Sequence, residues 1–241
     1  MRQIFIVILF VATTALAQEP AAPPPVWSGN LSAGLSLTRG NSDTNNINLT
    51  FDAKQILSAR NTMKYDAFYL RADADGDQTV DRTLFGARDE LTLSPLTYAL
   101  FDVHFLRDRF KLIDMLITPT AGIGHHFLKT STTDFALEAG AGAIIEEDTG
   151  LPRETSGAIN ARQIWMWKFS PTTEFDQTAA GLWKTNDFGD ALYHFEAALL
   201  ASMTTRTQLK LSFLDDYKAK PPLPTVEKND VSFLASVVMK F

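Results

Sequence analysis

The chain has 241 residues, with 28 acidic against 22 basic side chains, a formal charge of −6 and no cysteine. Hydrophobic residues make up 45% and charged residues 21%, at a mean hydropathy of −0.05, and no run of about 18 apolar residues occurs, so a bundle of membrane helices is excluded. Seventeen Phe, five Tyr and four Trp exclude a disordered chain. The acidic balance leaves no broad basic surface for nucleic acid, and the lack of Cys removes disulfides, lipid-anchored cysteines and thiolate chemistry.

Arg2, the apolar run Ile4 to Val11 and the small-residue site Ala15-Leu16-Ala17 have the order of a secretory signal. Residues 1–17 are therefore expected to be removed after Ala17, which leaves 224 residues. Residues 18–26, with Pro20, Pro23, Pro24 and Pro25, form a stiff leader that no strand could accept. A barrel is expected over 27–241.

From Trp27 the apolar period is two. Leu31, Ala33, Leu35 and Leu37 alternate with Ser32, Gly34, Ser36 and Thr38, and Ile47, Leu49, Phe51 and Ala53 alternate with Asn48, Thr50, Asp52 and Lys54. Such alternation marks strands with one apolar and one polar face. It recurs through Met63–Tyr69, Ala99–Phe105, Met115–Ile123, Phe135–Ile145, Ile159–Phe169, Phe175–Trp183, Tyr193–Ala201, Leu209–Phe213 and Val231–Phe241. A weaker strand carries Phe85, Ala87, Leu91 and Leu93, with Asp89 interrupting its apolar face, where a bulge is expected. About twelve strands result.

Soluble barrels and membrane barrels share this alternation, so other cues must separate them. Connections at Ser94-Pro95-Leu96, Ser170-Pro171-Thr172 and Met203-Thr204-Thr205 are short. Longer polar loops are expected over Ala72–Thr79, Glu147–Ser156, Thr185–Asp190 and Lys218–Asn229. Aromatic residues sit at strand ends on the apolar face: Trp27, Phe127, Phe135, Trp165, Trp167, Phe169 and Phe241 toward the short turns, and Tyr69, Trp183, Tyr193 and Tyr217 toward the long loops. Two aromatic girdles around an aliphatic band match a bilayer. The chain stops on an apolar strand at Phe241, a terminal signal that barrel-assembly machinery reads by strand addition. The expected fold is all-β, a transmembrane antiparallel up-and-down β-barrel in a Gram-negative outer membrane.

Trp27-Ser28-Gly29 with Gly34, then Arg39-Gly40-Asn41-Ser42, then Arg107-Asp108-Arg109-Phe110, Gly122-Ile123-Gly124-His125, and Gly140 and Gly142 before Glu146-Glu147 carry a resemblance. The chain resembles the salt-induced outer-membrane protein family (YdiY-like; domain of unknown function 481). That resemblance implies an outer-membrane barrel and supplies no catalytic residues. Gly40-Asn41 also reads locally as a tight turn, since both residues tolerate positive φ.

The polar face carries Lys64, Asp66, Arg88, Asp102, His104, Glu138, Arg162, Lys168, Glu174, Asp176, His194, Glu196 and Lys210, the lumen-facing candidates. In a narrow lumen they should pair across strands, because an isolated buried charge costs several kcal/mol. His125 and His126 are adjacent on a strand and point to opposite faces, so they cannot chelate together; His126 is expected inward. His104 beside Asp102 and His194 beside Glu196, each at i, i+2, could orient an imidazole. The His-x-Ser of outer-membrane phospholipases does not occur. Asp73, Asp75, Gly76, Asp77 and Asp81 suggest calcium, but an EF-hand counted from Asp73 meets Gln78 and Leu84 where Gly and Glu are needed.

The expected function is envelope-structural, with a filled or narrow polar lumen and no cofactor, metal or catalytic residue. A narrow channel for ions or small polar solutes is the alternative, and a lipid- or peptide-modifying enzyme the third. Expected partners are outer-membrane lipid and lipopolysaccharide and the assembly machinery, around a monomer.

Overall fold

The computed structural model describes residues 26–39, 44–74 and 77–241. The signal sequence, its cleavage site, the leader up to Pro25, the Gly40-Asn41 turn, Asp75 and Gly76 lie outside them. Twelve strands follow in chain order: β1 (Val26–Arg39), β2 (Thr44–Ile56), β3 (Asn61–Ala74), β4 (Asp77–Thr92), β5 (Thr97–Asp108), β6 (Ile113–Lys129), β7 (Thr133–Asp148), β8 (Glu154–Lys168), β9 (Thr173–Lys184), β10 (Ala191–Ser202), β11 (Thr207–Lys218) and β12 (Asn229–Lys240). Each pairs antiparallel with its chain neighbours, and β12 closes on β1. Val26, assigned above to the leader, already pairs with Ile56.

The faces are inverted relative to a soluble protein. Outward Ile47, Ile123 and Phe233 are 64%, 58% and 52% exposed, while inward Asn48, Asp102 and Lys218 are at most 2% exposed. Even a strand of 12 residues, tilted by about 40°, rises about 30 Å, the thickness of a hydrocarbon core. The outer face therefore has a bilayer as its solvent. Aromatic contacts line the short-turn edge and, over β9–β11, the loop edge. Trp27 stacks on Tyr65 at 5.8 Å and Trp167 meets Phe169 at 4.2 Å on one edge. On the other, Trp183 meets Tyr193 at 5.8 Å and donates its indole hydrogen to that phenol at 3.0 Å.

The two ends are built differently. At the short-turn end, Ser58, Ser94, Thr130, Ser170 and Thr204 each accept, through the side-chain oxygen, the backbone N–H three residues on, at 2.9–3.1 Å. One Ser/Thr turn thus closes every hairpin at this end. At the other end two of the four expected loops are shorter: β3 reaches Ala74 and β4 begins at Asp77, while β7 continues to Asp148; residues 185–190 and 219–228 form connections where they were expected. The β7 ladder extends because Glu146 and Asp148 find Lys218 inside the barrel, whereas at the end of β3 the exposed Arg71 and Asp73 pair with each other. Asp89 sits in no bulge: it pairs in regular register with Met63 and Phe101 on the outer face, three residues before the strand ends.

Candidate functional site

The lumen holds three tiers, counted from the loop end. The first is a bridge of ion pairs. Arg82 on β4 donates Nη2 to Asp216 Oδ1 on β11 at 3.0 Å, and Nη1 to Oδ2. His194 Nδ1 lies 2.8 Å from the same carboxylate. Lys111, from the β5–β6 turn, donates to the Asp216 carbonyl at 2.7 Å and lies 3.4 Å from Asp230. That turn bends inward: Asp108 accepts the N–H groups of Phe110 and Lys111 at 3.1 and 3.0 Å, and Leu112 takes φ 58°, a left-handed conformation costing about 1–2 kcal/mol. Beside this bridge Lys218 donates to Glu146 at 2.7 Å and to Asp148 at 3.1 Å. Lys184 lies 2.5 Å from Glu146 and 2.6 Å from Asp190. Ile113, Leu116, Ile144 and Ala158 pack beneath it, against Leu106, Leu182 and Leu192.

The middle tier is a cavity of about 520 Å³. Its β3–β6 wall carries two adjacent rows set by the register. Phe68, Leu84, Leu106 and Leu116 are directly opposed in one row, and Asp66, Gly86, His104 and Thr118 in the next. Gly86 is required there, since a Cβ would meet Asp66 Oδ1 at 2.2 Å. The gap lets Asp66 reach over β4 to within 3.6 Å of His104.

The third tier centres on Arg88, which donates to Glu138 and lies 2.8 Å from Glu90 and 3.5 Å from Asp102. Tyr98 donates to Glu138 at 2.6 Å, and Lys64 to Glu90 at 2.6 Å. Arg162 approaches Glu138 at 3.8 Å, completing a network of β3, β4, β5, β7 and β8. On the opposite wall Lys210 is 2.9 Å from Glu196 and Lys168 is 3.9 Å from Glu174, with Asp176 on the same face of β9. His126 faces inward, 2.5 Å from Asp134 and 5.3 Å from the Tyr98 ring, whereas His125 meets Thr97 at 2.9 Å on the outer face.

Two pairings differ from the sequence expectation. Asp102 turns to Arg88, so the carboxylate nearest His104 is Asp66; Glu196 holds Lys210, so His194 meets Asp216. Side chains at i and i+2 on one strand stand parallel and about 7 Å apart, whereas a directly opposed residue is about 5 Å away. Asp73 is held by Arg71 and Asp81 by Arg107. Of the first tier the sequence reading named only His194 as lumen-facing: Asp148 and Lys218 fell in expected loops, and Glu146 fell between the expected strand and its loop. Their even parity continues the inward series of Glu138 on β7 and Lys210 on β11, and that signal would have found them.

A closed twelve-stranded barrel with an apolar outside and a charged inside is the outer-membrane β-barrel fold. The chain belongs to the DUF481 family, described as proteins of unknown function, whose model matches residues 31–241. Among curated proteins, none matches the sequence. Solved structures with a similar fold include the NanC porin, at TM-score 0.60 and 10% identity over 88% of this chain and 100% of that one. The COG4313 outer membrane channel from Pseudomonas putida F1 aligns at TM-score 0.53 and 14% identity over 95% of this chain and 100% of that one. The KdgM porin, in complex with disordered oligogalacturonate, aligns at 0.52 and 7% over 88% and 99%.

Proposed function

We propose that the protein is a narrow outer-membrane passage for small polar solutes that rests closed at its loop end. The observation that carries this reading is the boundary of the cavity. Above it stand ion pairs between strands that are not neighbours, chiefly Arg82 with Asp216 and Lys218 with Glu146, and such pairs have a broken as well as a formed state. The porins and channels with the same fold support the reading at the level of architecture. In this reading the short turns face the periplasm and the barrel is a monomer in outer-membrane lipid and lipopolysaccharide. The assembly machinery inserts it through the strand ending at Phe241.

A permanently closed, envelope-structural barrel is the second reading, favoured by the apolar cluster of Ile113, Leu116, Ile144 and Ala158 under the bridge. Planar-bilayer conductance separates the two. The wild-type barrel should give rare, small steps, and Arg82→Ser/Asp216→Ser frequent and larger ones. Folding is checked by heat-modifiable gel migration. Folded barrels that stay silent in both forms leave the structural reading standing.

A further inference from the structure

The cavity floor has a charge arrangement that the barrel's own pairing does not resolve. Asp52 and Asp66 are directly opposed on β2 and β3, both facing inward and both lining the cavity. Carboxylates in this position stand about 5 Å apart and repel. Among the described residues Asp52 makes no ion pair within 4 Å, and Asp66 has only His104 at 3.6 Å. The nearby cations are committed elsewhere: Lys210 to Glu196, Lys64 to Glu90 and Arg88 to Glu138. Lys54, opposed to Lys64 in the row below, also makes no ion pair among the described residues and lies about 7 Å along the strand. A third carboxylate, Asp102, also lines the cavity; it is 2% exposed, and its Oδ1 has no hydrogen-bond partner. A buried acceptor left in this state costs about 1–3 kcal/mol until a donor reaches it.

Across β3–β6 the row directly above Asp66 is apolar. Phe68, Leu84, Leu106 and Leu116 stand one inward step, about 7 Å, toward the loop end from the row of Asp66 and His104. An acidic floor and an apolar wall thus share one compartment of about 520 Å³, within the range of small-molecule sites. From this juxtaposition we infer that the cavity binds a protonated primary amine bearing a compact apolar body. The ammonium group lies between Asp52 and Asp66, and the body lies against Phe68 and Leu84. An anionic solute meets the surplus carboxylates and is rejected. An amine without an apolar body forfeits the wall.

The inference deepens the passage reading, because it assumes a lumen that solutes can enter, yet its test does not depend on conduction. Phenethylamine, methylamine and phenylacetate are titrated calorimetrically into the full barrel in phosphatidylcholine nanodiscs, with empty nanodiscs subtracted. Phenethylamine should bind saturably, and at least about ten-fold more tightly than either comparator. Asp52→Asn/Asp66→Asn, which removes a repulsion and so leaves folding intact, should weaken it at least about ten-fold. Equal binding of phenylacetate, or an unchanged variant, overturns the charge assignment; equal binding of methylamine overturns the role of the apolar wall. A barrel that binds phenethylamine but never conducts keeps this site and loses the passage. One that conducts and binds no amine does the opposite.

Discussion

Arg82 and Asp216 meet across the lumen from strands that share no hydrogen bond, and the Asp216 carboxylate takes two guanidinium hydrogens while His194 approaches it from β10. The pair ties β4 to β11, with β3, β2, β1 and β12 between them on the shorter path around the sheet. Adjacent strands need no such tie, since their ladders already hold them. A bond over the cavity instead fixes how wide the barrel stands at that level.

Removing one partner of this pair should cost far more than removing both. Asp216→Ala leaves the Arg82 guanidinium inside the barrel without its carboxylate, a loss of about 3–5 kcal/mol. Arg82→Met/Asp216→Leu fills similar volume with apolar atoms and should fall within about 1 kcal/mol of wild type. Urea unfolding of the barrel in lipid vesicles measures both. Equal losses for the single and double variants would show that the pair is solvated rather than buried.

Gly124 sets the position of the lower network. A Cβ there would stand 2.2 Å from the Tyr98 ring, which crosses β6 at this glycine to donate its hydroxyl to Glu138. Gly124→Ala should push the ring aside and cost about 1–3 kcal/mol by overpacking. Tyr98→Phe keeps the ring but leaves Glu138 with Arg88 and Arg162, so about 1 kcal/mol is expected. The same unfolding experiment ranks them, and the alanine variant should be the worse.

Much of this fold was legible because one period-two pattern carries both faces. Where a position broke the pattern, the reading stopped short of the reason. Asp89 suggested a bulge, yet register is held there by regular pairing with Met63 and Phe101. Most of the upper tier was lost for a different cause: charged strand ends look like loops until their partners are known, and Lys218 finds Glu146 from a strand 72 positions away. The cross-lumen pairs were not legible at all, because alternation assigns a face but not which strand stands opposite. Asp66 reaching His104 additionally required Gly86, whose missing side chain matters only once β3, β4 and β5 are in register.

The terminal strand should matter more to assembly than to stability. Phe241 pairs its backbone with Gly29 at 3.0 and 3.1 Å and stacks its ring on Phe51 at 6.2 Å. An aromatic pair at a rim contributes about 0.5–1.5 kcal/mol, so Phe241→Ala should refold in vitro with only that loss. If the terminal aromatic is what the assembly machinery reads, the amount of folded barrel in outer membranes should fall several-fold in cells. Heat-modifiable migration of membrane fractions, set beside refolding yield, separates the two effects; parallel losses would make the residue purely structural.

Two polar residues on the lipid face answer one another. Gln163 on β8 and Gln177 on β9 interrupt their strands' outward apolar series, and each amide donates to the other's carbonyl oxygen, at 3.2 and 2.9 Å. Gln163 stands one outward step, about 7 Å, inside Trp165, and Gln177, directly opposite Trp165, stands the same step inside Phe175, at the edge of the hydrocarbon. Gln163→Leu therefore strands the Gln177 amide where water cannot replace its partner. Hydrogen bonds in bilayers give about 0.6–1.7 kcal/mol in double-mutant cycles, and a loss of that size is expected for either single variant. Gln163→Leu/Gln177→Leu removes both amides and exposes only alkyl surface to lipid, so it should unfold at the wild-type urea concentration or above. A coupling energy of zero would place the pair in water, and the edge of the apolar band would then lie above Gln163 rather than at Trp165.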